Sequence, residues 1–290
     1  MSTPITVPAA HMVCNRSTLM PKASRIMQIT KAMELVASSK LRKAKERQER
    51  CRPYFTGLKQ TLESIETATH DFSSPYQQHR EVKKRCLIVI AGDRGLAGGY
   101  NSNVFKSVLP LLREGPVCVL PIGKRTVEFF ARNDVEMLTT EFAEAASVSV
   151  ADCFTISNLV TQGYLSGQYD EVSVVYTRFV SMLTQTPAQD SLLPLEKLEA
   201  KDETGVRQLV LYEPSPSAVY DAIVPNYIAG MIYGAMSESV ASELGARRTA
   251  MDAASKNASE MIEDLSLRYN RARQGAITQE ITEIVAGAEH

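Results

Sequence analysis

The sequence predicts an α/β protein whose two long terminal helices pair as an antiparallel two-helix coiled coil, with an α/β domain inserted at its base. Three observations predict it. Residues 226–288 contain no proline and consist mostly of good helix formers. Their apolar residues recur in steps of three and four: Ile228, Ile232, Met236, Val240 and Leu244, then Met251, Ala254, Ala258, Met261 and Leu265, then Ala272, Ile277, Ile281 and Ile284. A stripe with a repeat near 3.5 has to be covered by another helix. The second observation is a matching stripe near the other end of the chain: Ile26, Ile29, Met33, Val36, Leu41 and Ala44, then Cys51, Tyr54, Leu58, Leu62, Ile65 and Ala68. The third is the middle of the chain, where short apolar runs of strand length alternate with helix-like segments. A single helix of about sixty residues reaches about 90 Å. No ordinary domain buries such a rod, so most of it must meet something else.

In chain order the expected organisation begins with an irregular N-terminal arm, residues 1–21, punctuated by Pro4, Pro8 and Pro21. The N-terminal helix follows over 22–69, with Pro53 as a kink or local break. Residues 70–82 read as a polar linker, 83–215 as the α/β domain and 216–290 as the C-terminal helix. Inside the domain, 86–91 (CLIVIA) and 117–122 are continuous apolar runs, as in strands buried on both faces. Helices are expected over 103–113, 124–131 and 151–165. Further strands are expected over 135–138 and 172–179, with a return at 192–195 and a last strand at 208–212 before Pro214 and Pro216. This alternation argues for a mostly parallel sheet with a late antiparallel addition.

Composition narrows the function. The 290 residues are 44% hydrophobic, enough for a core plus an extension, and Lys+Arg (32) nearly balances Asp+Glu (33). The totals therefore do not indicate a nucleic-acid binder. Cys14, Cys51, Cys86, Cys118 and Cys153 lie far apart with no paired spacing, which fits reduced thiols rather than a disulfide framework. His11 and Cys14 are close, but two ligands do not make a metal site. No run of eighteen apolar residues is present, and the first twenty residues do not read as a secretion signal.

Candidate chemistry is sparse. Gly92, Gly95, Gly98 and Gly99 follow the first strand, where dinucleotide folds cradle phosphate, but the spacing is not GxGxxG. Gly123-Lys124 lacks the upstream glycine and the following Ser or Thr of a P-loop. Both glycine sets read as tight turns. Asp93 and Arg94 read as an ion pair or a loop cap rather than an acid–base pair. The histidines, His11, His70, His79 and His290, all lie outside the α/β region, which argues against histidine chemistry. The stretch 31–52 is basic, with Lys31, Lys40, Arg42, Lys43, Lys45, Arg47, Arg50 and Arg52 against three glutamates. It reads either as a solvated face or as a surface for an acidic partner. Around Arg247–Arg248, and again at 268–274, polar groups interrupt the C-terminal stripe, as a solvated face or as a place where a partner is met.

Three stretches resemble one family. Residues 28–40 (QITKAMELVASSK) resemble the QITKAMEMVAASK segment of the γ subunits of rotary F-type ATP synthases. Residues 93–101 (DRGLAGGYN) resemble that family's SDRGLCGGFN turn, and residues 269–285 resemble its YNRARQAxITQELTEIV. The resemblance covers roughly residues 25–290. It implies a Rossmann-like α/β domain between the helices of a coil that forms a noncatalytic shaft inside a ring of α and β subunits. The α/β domain would rest on a membrane ring of c subunits and touch ε. The shaft would couple proton flow to ATP synthesis or hydrolysis, at the cytoplasmic face of a bacterial cell membrane and as a peripheral component. It implies no cofactor, no metal, no catalytic residue and no nucleic acid. By the same resemblance Lys31, Met33, Lys40, Arg42 and Lys43 face the acidic loop of a β subunit, and Arg273, Gln274 and Thr278 hydrogen-bond an α/β loop near the shaft top. Asp93, Arg94, Gly95, Gly98 and Gly99 form the family turn.

The chain departs from the family at three points. A basic amphipathic start of the type IRRRIxSVKNT is missing, and residues 1–24 do not resemble it; the expectation is an altered reading frame upstream rather than a shortened shaft base. Gly275 replaces an alanine, which costs about 1 kcal/mol of helix propensity. Ala97 stands where the turn often carries cysteine, and the redox insertion of the chloroplast form is absent, so thiol regulation is not expected. Two rival readings remain: a basic coil binding nucleic acid or an acidic protein, with strong salt dependence, and a nucleotide-binding enzyme built on the α/β domain.

Overall fold

The structure is a computed structural model that describes residues 9–68, 73–197 and 212–288, with side chains from Met20 onward. It divides into two compact units, Ser38–Arg247 and the pair of segments Met1–Ala37 and Arg248–His290. Two helices contribute to both: α1, Ala9–Ala68, and α5, Pro216–Ala288.

The larger unit is built on four strands: β1 (Arg85–Ile90), β2 (Val117–Ile122), β3 (Glu171–Phe179) and β4 (Gln185–Leu193). They lie in the order β2-β1-β3-β4, with β1 parallel to β2 and β3, and β4 antiparallel to β3. The strands connect through α2 (Tyr100–Leu111), α3 (Lys124–Arg132) and α4 (Val150–Leu165). Both faces of the sheet are covered, which is why β1 and β2 read as unbroken apolar runs. On one face Leu87, Val89, Val119 and Val175 pack with Val104 and Val108 of α2 and Phe130 of α3. On the other, Ile88, Ile90, Leu120, Ile122 and Val174 pack with α4, with Tyr220, Val224, Ile228 and Ile232 of α5, and with Leu62 and Ile65 of α1. Ser149 and Asp152 form a reciprocal cap at the start of α4.

Within this unit α1 and α5 meet in opposite order along the chain. Glu66 accepts from the Tyr220 hydroxyl at 2.6 Å, the rings of Phe55 and Tyr233 lie 6.0 Å apart, and Leu41 packs with Ala241 and Leu244. In the smaller unit, Ala23, Ala37, Met251 and Ala258 are buried, and so are the polar residues Thr30, Glu34 and Ser255. Thr30 Oγ1 and Ser255 Oγ are hydrogen-bonded at 2.6 Å. Thr30 Oγ1 also reaches Ile26 O at 3.0 Å and Met27 O at 3.1 Å, so a slip would leave it satisfied within its own helix but would break its bond to Ser255, and the pair favours one register by that bond.

Several expectations change. The arm over 1–21 was expected to be irregular, yet α1 begins at Ala9 and passes through both Pro21 and Pro53 without a break. A proline removes one hydrogen bond from a helix, and flanking turns and packing outweigh that loss. At the start of α5, Pro216 needs no N–H in the first turn, and Pro225 sits inside the helix, its carbonyl accepting from Ser157 Oγ at 2.5 Å. Residues 135–138 form no strand, only one bridge between Met137 and Val119, because the next residue of β2 on that edge is Pro121, which has no N–H to extend the ladder. β4 begins at Gln185, seven residues before the expected return at 192. It is a half-buried edge strand whose polar residues and Pro187 disguise it. The linker is tied down over 73–82, where Tyr76 is buried in the core and Ser74 Oγ donates to Asp221 at 2.6 Å. The expected strand at 208–212 falls outside the described residues, apart from Tyr212. No helix among the described residues is long and apolar enough to cross a membrane.

The entry to the sheet carries a titratable brace. Asp170 Oδ2 accepts from the backbone N–H of Lys83 at 2.9 Å and of Lys84 at 3.2 Å. These two bonds, Lys83's first, hold its carboxyl below the ordinary carboxylate range. A depressed carboxyl adds stability above its unfolded pKa and loses it as pH falls through the folded value. Asp170→Asn is therefore expected to be less stable than the wild-type chain at pH 7, with the difference shrinking as pH falls below the ordinary aspartate value of about 4. Urea midpoints measured from pH 7 to pH 2.5 check this; a difference that stays constant with pH would refute it.

Candidate functional site

The family turn leaves the C-terminal end of β1 and enters α2. Its first carboxylate is fully engaged. Asp93 Oδ1 accepts from the N–H of Lys124 at 3.2 Å and of Ala145 at 2.8 Å, and Oδ2 accepts from Ala146 N–H at 3.1 Å. Asp93 is thus the loop cap, not half of an ion pair with Arg94. Lys124 is the first residue of α3, so the carboxylate sits where a phosphate on that helix N-terminus would have to bind. Asn101 ties the turn internally, accepting from Gly92 N–H at 2.9 Å and donating to Arg94 O at 3.2 Å. Arg94, Gly98 and Gly99 are exposed and Gly95 is half-buried. Leu96 holds φ 62° while its side chain is 65% exposed, an apolar residue in a strained conformation facing outward.

The turn lies against α5. Arg247 Nη2 donates to Gly95 O at 3.3 Å and to Glu243 Oε1 at 2.5 Å, and a Cβ placed on Gly92 would meet the Glu243 carboxylate at 2.7 Å. Tyr100 Oη and Ser239 Oγ are hydrogen-bonded at 2.6 Å. Burial pushes the Tyr100 hydroxyl well above its ordinary pKa, so it stays a neutral partner.

The basic positions are carried by α1. Lys31 is exposed and pairs with Glu34 at 2.8 Å, beside the half-buried Met33. Lys40, Arg42 and Lys43 are exposed, and Arg42 lies 3.8 Å from Glu46. Lys45 stands 4.5 Å from the ring centre of Phe179. Toward the C-terminus Arg273, Gln274 and Thr278 are exposed, and Thr278 Oγ1 donates to Gln274 O at 2.9 Å. α5 continues through Gly275 without interruption. Sequence reasoning missed Ser239 and Glu243, and marked Arg247 only as part of a polar interruption. Their only signal is the polar interruption of the stripe near 247, which faces the turn rather than solvent. It also missed the Thr30–Ser255 pair, because an isolated hydroxyl on each helix carries no periodicity.

A protein whose glycine turn is filled by its own side chains, and whose outward features are helix faces, belongs to the class of partner-binding α/β proteins with extended terminal helices. A family profile described as ATP synthase matches residues 19–290. The ATP synthase gamma chain of Ruminococcus albus is 46% identical over 263 residues, covering 89% of this chain and 91% of its own. The sodium-ion-specific ATP synthase gamma chain of Acetobacterium woodii is 41% identical over 281 residues, covering 91% and 93%. A chain of the Euglena gracilis mitochondrial ATP synthase rotor shares the fold, with a TM-score of 0.62 at 18% identity over 93% of this chain and all of that one. The chain belongs to the ATP synthase gamma chain family.

Proposed function

We propose that this chain couples transmembrane proton flow to ATP synthesis or hydrolysis by turning inside a ring of α and β subunits. α1 and α5 act as an antiparallel coiled-coil shaft, and the Rossmann-like domain is its foot on the c ring and ε. The observation that supports this reading most directly is α5 itself. Its residues Tyr220, Ile228 and Leu244 are buried, while all of 277–288 is exposed, with Ile277, Ile281, Ile284 and Val285 among them. A regular helix with an open apolar stripe calls for a sleeve supplied by other chains. Contacts there must be weak enough to release on every turn, which suits small patches and charge pairs better than a large fixed interface. In this reading Lys31, Met33, Lys40, Arg42 and Lys43 meet an acidic loop of β, and Arg273, Gln274 and Thr278 meet a loop of the ring near the shaft tip. Asymmetry of the shaft gives each partner in the ring a different equilibrium at any instant. The complex sits at the cytoplasmic face of the bacterial membrane, with this chain as a peripheral component.

The test is reconstitution with matching α and β subunits and assay of ATPase in the isolated complex. One copy per ring with strong ATPase is expected, and removal of the chain after Arg268 is expected to abolish it. A complex that forms equally well and works equally well with the truncated chain would refute the shaft role of the C-terminal segment.

A further inference from the structure

The joint between the family turn and α5 has a feature the rotor reading does not by itself require. Over two turns of α5, three side chains hydrogen-bond the start of α2, the end of β3 and the turn after β1, and a fourth packs against that turn. Ser239 bonds Tyr100, Ser242 Oγ donates to Thr177 O at 3.0 Å, Glu243 fills the space over Gly92, and Arg247 reaches Gly95 O. Glu243 and Arg247 side chains are only 12% and 14% exposed, so their attraction is screened far less than that of a surface pair.

Glu238 adds one more polar contact, to the backbone of Phe179 at the end of β3, and the core part of the α5 contact with the sheet is apolar: Tyr220, Val224, Ile228 and Ile232. Apolar contact is non-directional and resists separation more than it resists rolling of a helix about its axis. Hydrogen bonds weaken steeply with angle, so they oppose such rolling directly. From this geometry we infer that Glu243 and Arg247, acting on Gly92 and Gly95, form a torsional latch that locks the rotation of the α/β domain to the rotation of α5. The inference rests on the rotor reading. It gives the family's glycine turn a mechanical role. The backbone carbonyl of Gly95 is a fixed point for the helix, and Gly92 lacks a side chain because the latch carboxylate occupies that space. Glu243 and Arg247 are positioning residues, since they act through the turn and touch no substrate.

The test compares ATP hydrolysis with ATP-driven proton pumping in membranes carrying the reconstituted complex. Arg247→Ala and Glu243→Ala are expected to hydrolyse ATP within about twofold of wild type while pumping per ATP falls about threefold or more. Both contacts leave one nitrogen, Nη2, so Arg247→Lys, whose ammonium also carries several donors but on a shorter arm, is expected to pump better than Arg247→Ala. Lys59→Ala, which removes an exposed pair with Glu63, is expected to leave the ratio unchanged. A wild-type ratio in the two alanine variants, or Arg247→Lys pumping no better than Arg247→Ala, would overturn the latch. Amide exchange in the purified chain provides a readout independent of assembly. Residues 92–101 are expected to exchange about tenfold faster in Arg247→Ala, and unchanged exchange would overturn the latch. If the wild-type chain itself drove no hydrolysis or pumping, the rotor reading would fall, while the exchange result would still decide whether the turn is held.

Discussion

Gly123→Ala is expected to unfold the larger unit under conditions where the wild-type chain is stable, with a loss of about 4 kcal/mol. Gly123 closes β2 and opens α3 at φ 102°, in the region that side chains rarely adopt. A Cβ there would lie 2.1 Å from Ala91 O, a backbone atom that cannot swing aside. Ala91 N–H donates to Ile122 O at 3.0 Å and Gly123 N–H to Phe142 O at 3.0 Å, so relieving the clash breaks bonds on both sides. Gly57→Ala is the natural control. It lies in α1 with no atom within 4 Å of its added Cβ, and should gain about 1 kcal/mol from helix propensity. Urea unfolding of both variants measures the contrast. A Gly123→Ala chain within about 1 kcal/mol of wild type, on the scale of ordinary surface changes, would show that the turn relaxes.

Gly230→Ala is expected to cost about 2 kcal/mol although alanine is the better helix former. The added Cβ would lie 2.2 Å from Phe55 Cδ1 and 2.7 Å from Cγ, so α1 and α5 could not keep their present spacing. The Phe55 ring also packs against Tyr54, 5.2 Å away edge to face, and Tyr233, 6.0 Å away. Phe55→Leu in the same chain should recover much of the loss, because a leucine side chain is narrower and can turn away. The coupling energy from the four chains of this cycle is the diagnostic. Additive losses would mean that Gly230 and Phe55 do not set the distance between the helices. The spacing matters for the proposed shaft, since a rod built from two helices is stiff only where their side chains interlock.

Much of this architecture is legible in the residues alone. The apolar runs at 86–91 and 117–122 became β1 and β2 because a strand covered on both faces needs no polar alternation. The helical stripes of α1 and α5 announced themselves by period, and three motifs pointed to the family. Legibility stopped where local preference and tertiary context disagree. Pro21 and Pro53 looked like boundaries, yet each stands inside a helix, because one lost hydrogen bond is small beside packing along many turns. β4 hid because an edge strand may be polar on its open side. Of the site, the family turn was visible as a motif but not its use: the sequence left open whether Asp93 faced Arg94 or capped a loop. The answer lies in the N–H groups of Lys124, Ala145 and Ala146, some thirty to fifty residues away.

Composition and periodicity were sufficient for the kinds of element, for most of their order, and for the requirement that the long helices be covered. Hydrophobic burial acts on averages along the chain, and averages survive in a one-dimensional pattern. Which polar groups meet was decided only by the tertiary structure. Thr30 finds Ser255, Tyr100 finds Ser239, and Arg247 finds Gly95 across separations of roughly 140 to 225 residues. A hydrogen bond depends on tenths of an ångström and on angle, and only the folded chain sets those.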